Sequence, residues 1–464
     1  MRMKFNKSSH LLLVTATSLL AAVLITACGT ATVDFVYVTS AKAAGSNNYG
    51  EIDVFEINRT SGAMRQIPSS PFLSEGRNPV AEAVSSDYAN LYVVNQDDNT
   101  IVQFMIGSDG KIYPQNTVNT PGTYPLAVAV NGSYLFVVDT YMPLPACSIA
   151  DPCSGSVGVF PLSVASGSGS SATPGGVPGT PLTNSSIGAN YWPLNLLSNP
   201  SHVITPPAIN VLQSGADLFV TAYDSSVTPN VGYVFGFSIG SSGALTPLNG
   251  GVPFAAGVHP SAIASVTETT GTYVYVTDST SNQIYGYSVA SGGNLVLLPS
   301  VQYNPNPYPA GNQSSAIIAD STYPYLYVAN AGDGTVTAYE ISDGTVSCNQ
   351  SYHWTVYDPG TPPPPPPPFT VLPSGALCNL GSLSNASSSG TYTAGIDPVA
   401  MGIDPATNHF LFTANFTPGG AYGSVSNFVL SATDGTLVDG QKSPYSSNAN
   451  PTAVVAVPHN STQK

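Results

Sequence analysis

The sequence contains few charged residues, and most of those present are acidic. Only 8% of its 464 residues are Asp, Glu, Lys or Arg, against roughly a quarter in an average soluble domain. The formal net charge is −15, and no Lys or Arg occurs between Lys111 and Lys442. Nucleic acids attract basic surfaces, so this composition excludes nucleic-acid binding. A site for phosphate or carboxylate must use the remaining basic residues, histidine, backbone amides or a metal.

Continuous apolar runs are also absent after the first 27 residues. Residues 1–27 have a basic start followed by an uncharged stretch, which is the layout of an export signal. The segment ends in Ile25-Thr26-Ala27-Cys28-Gly29, which resembles the bacterial lipobox. The resemblance implies cleavage before Cys28, acylation of this cysteine, a tether at 28–33, and attachment to the cell envelope on its periplasmic or surface side. Loss of the signal removes three basic residues and moves the net charge to −18. A transmembrane anchor is the disfavoured alternative because the stretch is short for a membrane span.

The four cysteines after Cys28 lie in two segments outside the predicted strands. Cys147 and Cys153 share one segment, and Cys348 and Cys378 share the other. Four cysteines allow three pairings. We favour the local pairing, 147–153 and 348–378, because each bond then closes its own segment. A metal site is disfavoured, since no histidine lies beside the cysteines at zinc-finger spacing.

The dominant feature of the sequence is a set of three short strand patterns that recurs seven times. The first, commonly x-Pro-x-Ala, begins at Asn78, Tyr124, Thr205, His259, Gln313, Asp397 and Asn450. The second pairs an aliphatic with an aromatic residue and begins at Val36, Leu91, Leu135, Leu218, Val274, Leu326 and Leu411. The third begins at Ile52, Ile101, Val157, Val234, Ile284, Val336 and Val425. A Gly turn such as Asp109-Gly110 or Asp343-Gly344 usually introduces a fourth strand. Short repeated strands of this kind predict an all-β, seven-bladed propeller with four antiparallel strands in each blade.

The two chain ends predict how the ring closes. The first copy has no x-Pro-x-Ala strand, whereas an extra one follows the seventh copy at Asn450. This last strand is expected to become the innermost strand of the first blade and so to close the ring. The propeller is therefore predicted to span 34–458, followed by a tail at 459–464, with insertions at about 140–156, 163–202 and 342–394. The third insertion contains Pro362–Pro368, which we interpret as a polyproline II spacer or, alternatively, as a partner-binding segment.

Propeller geometry brings the starts of the inner strands and the ends of the second strands to one mouth of the central channel. The residues predicted to bind a ligand there are Asn78, Tyr124, Asp139, Asp278, Asn330, Asp397 and Asn450. Their hydroxyl, amide and carboxyl groups suit a small polyhydroxylated ligand. The alternative is that they cap strand ends, as turn Asn and Asp residues commonly do.

Two titratable residues stand out from the repeat. Glu82 occupies an inner-strand position that is apolar in the other six copies. We interpret it as a structural ion pair with Arg77 or Arg65, with the alternative of a general base of raised pKa. His259 is the only histidine predicted at the channel mouth, and it is either a water activator or a polar cap. Acidic turns at 97–99 and 333–334 allow weak calcium binding; no other cofactor or metal is expected.

The blade pattern resembles the lactonase family of seven-bladed propellers, which includes propeller-type 6-phosphogluconolactonases. The resemblance rests on Glu75-Gly76-Arg77-Asn78-Pro79, Asn90-Leu91-Tyr92-Val93-Val94-Asn95, Gly257-Val258-His259-Pro260 and Tyr325-Leu326-Tyr327-Val328-Ala329-Asn330. It implies a lactone hydrolase with Arg, His and Glu near the channel, here Arg77, His259 and Glu82. Export and the confinement of arginine to the first two blades favour a neutral sugar-type lactone. The alternative function is a non-catalytic envelope scaffold that holds a partner protein.

Overall fold

The computed structural model describes residues 32–44, 48–144, 147, 150–165, 175–301, 304–348, 370–383, 386–407, 409–417, 422–447 and 449–459. The predicted signal peptide at 1–27, the lipidation site Cys28 and the proline run Pro362–Pro368 lie outside these residues. Within them, no helix has the length and apolar character needed to cross a membrane. The short helical turns that they include are Asn249–Gly251 and Leu380–Ser382.

The described residues form seven antiparallel blade sheets, which we number in chain order, and one additional two-stranded sheet. Blade 1 contains β1 (Thr32–Ala44), β2 (Tyr49–Asn58), β3 (Met64–Gln66) and β4 (Phe72–Leu73). Blade 2 contains β5 (Pro79–Val84), β6 (Asn90–Asn95), β7 (Thr100–Ile106) and β8 (Ile112–Asn119). Blade 3 contains β9 (Thr123–Val130), β10 (Tyr134–Tyr141), β11 (Ser156–Pro161) and β12 (Trp192–Pro193). Blade 4 contains β13 (Ile204–Val211), β14 (Asp217–Asp224), β15 (Val231–Ile239), β16 (Leu245–Pro247) and β17 (Phe254–Ala255).

The remaining three blades follow the same plan. Blade 5 contains β18 (Pro260–Glu268), β19 (Gly271–Asp278), β20 (Gln283–Val289), β21 (Leu295–Leu297) and β22 (Tyr308–Pro309). Blade 6 contains β23 (Ser314–Ala319), β24 (Tyr325–Asn330) and β25 (Thr335–Ile341), then a separate pair of strands, β26 (Ser347–Cys348) and β27 (Thr370–Val371), and finally β28 (Leu377–Asn379) and β29 (Thr391–Thr393). Blade 7 contains β30 (Pro398–Ile403), β31 (Phe410–Asn415), β32 (Ser424–Leu430), β33 (Leu437–Asp439) and β34 (Tyr445–Ser446).

The C-terminal strand closes the ring, as the sequence predicts. Strand β35 (Pro451–Pro458) pairs antiparallel with β1 from Asp34↔Pro458 to Ser40↔Pro451, and it is the innermost strand of blade 1. Each innermost strand contacts the next one around the whole circle: β35, β5, β9, β13, β18, β23, β30 and again β35. The all-β, seven-bladed architecture is confirmed.

The apolar core lies between the blades. Buried apolar side chains form seven clusters among the described residues, and each cluster joins two neighbouring blades. In the cluster between blades 2 and 3, for example, Tyr92 and Val94 pack with Leu135, Val137 and Phe160. Successive residues of a strand point to opposite faces, so the three inner strands of each blade supply side chains to two of these clusters. A single blade therefore cannot bury both its faces, and the ring must be complete to be stable.

Tyrosine hydroxyls add a polar link between blades. The aromatic residue of the second strand donates a hydrogen bond to the carbonyl of a glycine in the hairpin of the next blade. The four pairs are Tyr37–Gly110 at 2.9 Å, Tyr92–Gly176 at 2.6 Å, Tyr275–Gly375 at 2.7 Å and Tyr327–Gly435 at 3.0 Å. All four glycines have positive φ, between 67° and 80°. The second-strand tyrosine and the hairpin glycine of the next blade are therefore the donor and the acceptor of one inter-blade hydrogen bond.

The insertions carry the two disulfides and alter one predicted hairpin. Cys147 bonds Cys153, and Cys348 bonds Cys378, which is the local pairing favoured from the sequence. The predicted hairpin at Asp343-Gly344 is wrong, because the fourth strand of blade 6 is β28, which follows Gly375 instead. The insertion places 35 residues, 342–376, between the third strand, which ends at Ile341, and the fourth strand, which begins at Leu377, so the turn that completes the blade lies at the end of the insertion.

Candidate functional site at the channel mouth

Every inner strand begins with a β-bulge at the x-Pro-x-Ala position. In blade 5, Pro260 pairs with Asp278 and Ala262 pairs with Thr277, so Ser261 has no partner residue in the ladder. Equivalent register shifts occur in the other six blades. A bulge bends a strand and changes the direction of its side chains. It places the residue before each inner strand beside the end of the second strand, at one mouth of the channel.

The residues immediately before the bulges lie at this mouth, and several have unusual backbone angles. Asn78, Tyr124, Gln313 and Asp397 have φ between 50° and 56°. This left-handed region is sparsely populated by residues other than glycine and asparagine. Asn78, Tyr124, Asp397 and Asn450 are all half-buried, so part of each side chain is accessible from the mouth. Their role as ligand contacts stays a prediction.

The second-strand ends that were predicted to bind ligand are buried. Asp139, Asp278 and Asn330 have no solvent-accessible surface. Each accepts a hydrogen bond from the loop before the inner strand of its own blade, as when the Val258 amide donates to Asp278 Oδ2 at 2.6 Å. Gly257 has φ 79°, and a Cβ at this residue would lie 2.1 Å from the same oxygen. Their burial and these hydrogen bonds favour the alternative that the three residues cap strand ends and support the mouth loops, and their role as ligand contacts stays a prediction.

Glu82 lies at the interface between blades 1 and 2. Thr39 Oγ1 of β1 donates a hydrogen bond to Glu82 Oε2 at 2.5 Å, while Oε1 is inaccessible to solvent. Burial raises the pKa of this carboxyl to about 8, and hydrogen bonds from Thr39 and the Val455 backbone offset only part of the effect. The group is mostly protonated at neutral pH. It can donate a proton there, but the general-base interpretation does not fit this environment.

The predicted ion pair between Glu82 and an arginine is not formed. Arg77 Nε donates to Asp98 Oδ1 at 2.6 Å, and the guanidinium forms a salt bridge with the same carboxylate. Arg65 pairs with Glu56 on the outer strands of blade 1. The side chain of Arg77 is half exposed, and its hydrogen bond to Asp98 raises its pKa. A role for Arg77 in stabilising an oxyanion stays a prediction.

Four rings lie together on another side of the mouth, and we call them the aromatic arc: Tyr124, Tyr141, Tyr223 and His259. Tyr223 and His259 have ring centroids 4.0 Å apart, with planes inclined by 31°. Tyr124 and Tyr141 meet edge to face with centroids 6.0 Å apart. Tyr141 is the last residue of β10 in blade 3 and Tyr223 lies near the end of β14 in blade 4, so the two pairs occupy neighbouring sectors of the mouth. All four rings are half-buried, which leaves part of each accessible.

The imidazole of His259 makes its polar contact with an uncharged hydroxyl group. Its Nδ1 lies 3.1 Å from Ser279 Oγ, and its backbone amide donates to Asp278. Hydrogen bonds and salt bridges among the described residues do not join His259 to Glu82 or Arg77. The three residues predicted to be catalytic are therefore distributed over blades 2 and 5 rather than assembled in one constellation.

A histidine–carboxylate pair was not anticipated from the sequence. His202 Nδ1 lies 2.5 Å from Asp224 Oδ2, with exposed side-chain fractions of 29% for His202 and 3% for Asp224. Asp224 is the last residue of β14, and its cross-strand partner is Ile204. The pair joins the end of the second strand to the segment before the inner strand of blade 4. In the sequence the two residues lie 22 positions apart and belong to no common motif, so nothing there connects them.

Metal ligands are sparse in the part of the chain that the structure describes, where no group of three or more His, Cys, Asp or Glu residues could hold a metal ion. The acidic turns considered for calcium have other contacts. Asp98 pairs with Arg77, and Asp333 accepts a hydrogen bond from the Asn312 amide at 2.7 Å.

Comparison with known proteins identifies relatives of this architecture. The family model described as "Lactonase, 7-bladed beta-propeller" matches residues 36–165 and 231–359, which together exceed half of the chain. A proposed 6-phosphogluconolactonase from Bacteroides fragilis aligns with a TM-score of 0.59 at 16% identity, covering 92% of this chain and 99% of that chain. A periplasmic gluconolactonase from Pseudomonas aeruginosa aligns with a TM-score of 0.56 at 17% identity, covering 92% and 99%. At these identities the structural likeness shows the fold alone. A search of curated proteins finds no match.

Proposed function

The chain belongs to the lactonase family of seven-bladed β-propellers, and from this premise we propose that it binds and hydrolyses a neutral, sugar-type lactone at the channel mouth. The aromatic arc is the observation that carries the proposal. Partly exposed rings offer apolar faces on which the C–H groups of a sugar ring can pack. Polar groups at the neighbouring blade starts can orient the hydroxyls of the same ligand.

The distribution of charge supports a neutral substrate. Blades 3 to 6 contain no Lys or Arg, so the side of the mouth that carries the arc has no strong cation for a phosphate group. Its carboxylates would repel an anion. A structural neighbour is a periplasmic gluconolactonase, which agrees with a neutral lactone and an extracytoplasmic site of action.

A pH-stat screen of the purified protein tests the proposal. Lactone opening releases acid, so base uptake reports turnover on a neutral aldonolactone and on its 6-phosphorylated counterpart at equal concentration. We expect kcat/KM to be at least tenfold higher for the neutral compound. Tyr223→Ala should raise KM by roughly tenfold, which corresponds to about 1.4 kcal/mol of lost ring contact. Absence of turnover on every lactone, together with co-purification of an envelope protein, would favour the non-catalytic scaffold instead.

We also propose that lipid on Cys28 anchors the protein to the cell envelope. The proposal rests on the lipobox-like segment that ends at Cys28 and on the two disulfides, which form in oxidising compartments. Labelling of cells with a fatty-acid analogue should mark the wild-type protein. Label that persists in Cys28→Ala would contradict the proposal.

A further inference from the structure

His202 differs from the other histidines in the described part of the chain, because its ring is hydrogen-bonded to a carboxylate. Asp224 lies 2.5 Å from its Nδ1. Such an arrangement fixes the tautomer that carries a proton on Nδ1 and leaves Nε2 as a proton acceptor. The carboxylate also stabilises the imidazolium that forms when Nε2 takes up a proton. His259 lacks this support, since its Nδ1 partner is the Ser279 hydroxyl.

The surrounding structure holds the pair in place. The amide of Ser226 donates to Asp224 Oδ1 at 2.9 Å, so both carboxylate oxygens are engaged. The Ser154 hydroxyl donates to the carbonyl of His202 at 3.0 Å and accepts from the Ile204 amide at 3.1 Å. Asp224 is almost completely buried, whereas the side chain of His202 remains 29% exposed. The buried member is therefore rigid and the exposed member can meet a ligand.

The pair lies at the same end of blade 4 as the aromatic arc. Asp224 directly follows Tyr223 in β14, and the two pair with Ile204 and Thr205 across the strand. Tyr223 packs on His259 of blade 5, and the His202 backbone is bonded to Ser154 of blade 3. The aromatic arc spans the boundary between blades 3 and 4, and the His202–Asp224 pair lies at the same boundary.

We infer that His202, positioned by Asp224, is the base that activates water for lactone hydrolysis. This inference rests on the proposed function. A water oxygen attacks the lactone carbonyl carbon while one of its protons passes to His202 Nε2. The tetrahedral intermediate then expels the ring oxygen, which takes the proton from the imidazolium. The product is the open hydroxy acid, which loses its carboxyl proton to solvent, and the histidine is neutral again.

The first test compares His202→Gln with the matched control His409→Gln in the full-length protein. His409 is an exposed histidine beside the start of β31 in blade 7. Loss of a general base lowers turnover by roughly 10²–10⁴-fold, so kcat for the neutral aldonolactone should fall by this factor in H202Q while KM changes less than about threefold. H409Q should retain wild-type values. Added imidazole should restore part of the activity of His202→Ala.

Asp224→Asn separates positioning from a purely structural role. The carboxylate fixes the tautomer and orientation of the imidazole, so its loss should lower kcat for the neutral aldonolactone by at least tenfold while KM changes less than about threefold. Tyr233 of β15 is the other titratable group that interacts with Asp224 among the described residues, and Tyr233→Phe should leave kcat unchanged. Circular dichroism of each variant verifies folding.

The outcomes distinguish the two proposals. If wild type turns over the lactone and H202Q keeps more than a third of its kcat, the assignment of His202 is overturned and the proposed function stands. A wild-type kcat in folded D224N overturns the positioning role of Asp224. If wild type hydrolyses none of the lactones, the proposed function fails, and the role of His202 in that reaction fails with it.

Discussion

Replacing Glu82 by Gln should stabilise the fold above pH 5, with a gain that increases with pH. The carboxyl has a pKa of about 8 in the folded protein against a usual value of 4.5. Between these values the folded state binds a proton that the unfolded state has lost, so the free energy of unfolding decreases as pH rises through this window. At about 1.4 kcal/mol per pKa unit, the loss reaches at most about 5 kcal/mol above pH 8 and about 3 kcal/mol at pH 7.

Urea unfolding of wild type and Glu82→Gln at pH 5, 7 and 9, followed by intrinsic fluorescence, measures this difference. Gln has nearly the shape of Glu and can still accept the hydrogen bond from Thr39, so packing is retained. We expect the gain to be below about 1 kcal/mol at pH 5 and to reach several kcal/mol at pH 9. Glu75→Gln, in the loop before blade 2, is the matched control for the chemical change from Glu to Gln. A gain that is constant from pH 5 to pH 9 would refute the reasoning, because it would mean that Glu82 ionises as readily in the folded protein as in the unfolded chain.

Three further changes test other parts of the structure. Burial, assisted by a neighbouring carboxyl of blade 7, raises the pKa of Asp34 to about 9. Asp34→Asn should therefore raise the Tm measured by calorimetry at pH 8 but not at pH 4. An equal rise in Tm at both pH values would contradict this. Tyr37→Phe removes the hydroxyl bond to Gly110 and should lower the free energy of unfolding by about 1 kcal/mol in urea, whereas no change would mean that the inter-blade bond contributes nothing. Gly257→Ala places a methyl group against Asp278 in a left-handed conformation and should cost about 1–3 kcal/mol, and wild-type stability would show that the loop relaxes freely.

The architecture could be predicted because each blade repeats the same local pattern. Seven copies of three strands fix the strand number, and the extra x-Pro-x-Ala strand at Asn450 fixes the closure on β1. The tyrosine–glycine bonds between blades were not predicted, although the second-strand aromatics and Gly110 belong to the repeated patterns, because local patterns do not reveal which side chain of one blade meets which turn of the next. The hairpin of blade 6 was misplaced for a related reason, since an insertion moves the closing turn from Gly344 to Gly375.

The site was predicted less well than the fold. The positions of the strand ends predict where the mouth lies. They do not predict burial, which distinguishes residues that face the mouth, such as Tyr124, from residues that support its loops, such as Asp278. The His202–Asp224 pair depends on β14 continuing to Asp224, two residues beyond the position where the repeat places the end of this strand. Without that extension the sequence gives no reason to connect the two residues.

In a fold built from seven near-equivalent blades, chemistry must arise where one copy departs from the others. Blade 2 departs through Arg77 and Glu82, whereas blades 3 to 5 depart through the aromatic arc and the His202–Asp224 pair. Seven-fold symmetry puts blade 5 about 150° around the channel from blade 2, and Arg77 is bound to Asp98 on its own blade. A single sugar ring that packs on His259 and Tyr223 therefore lies nearly opposite Arg77. Recognition of a phosphate by Arg77 and packing of the same sugar on the arc compete with each other, which is why the arc implies an uncharged substrate.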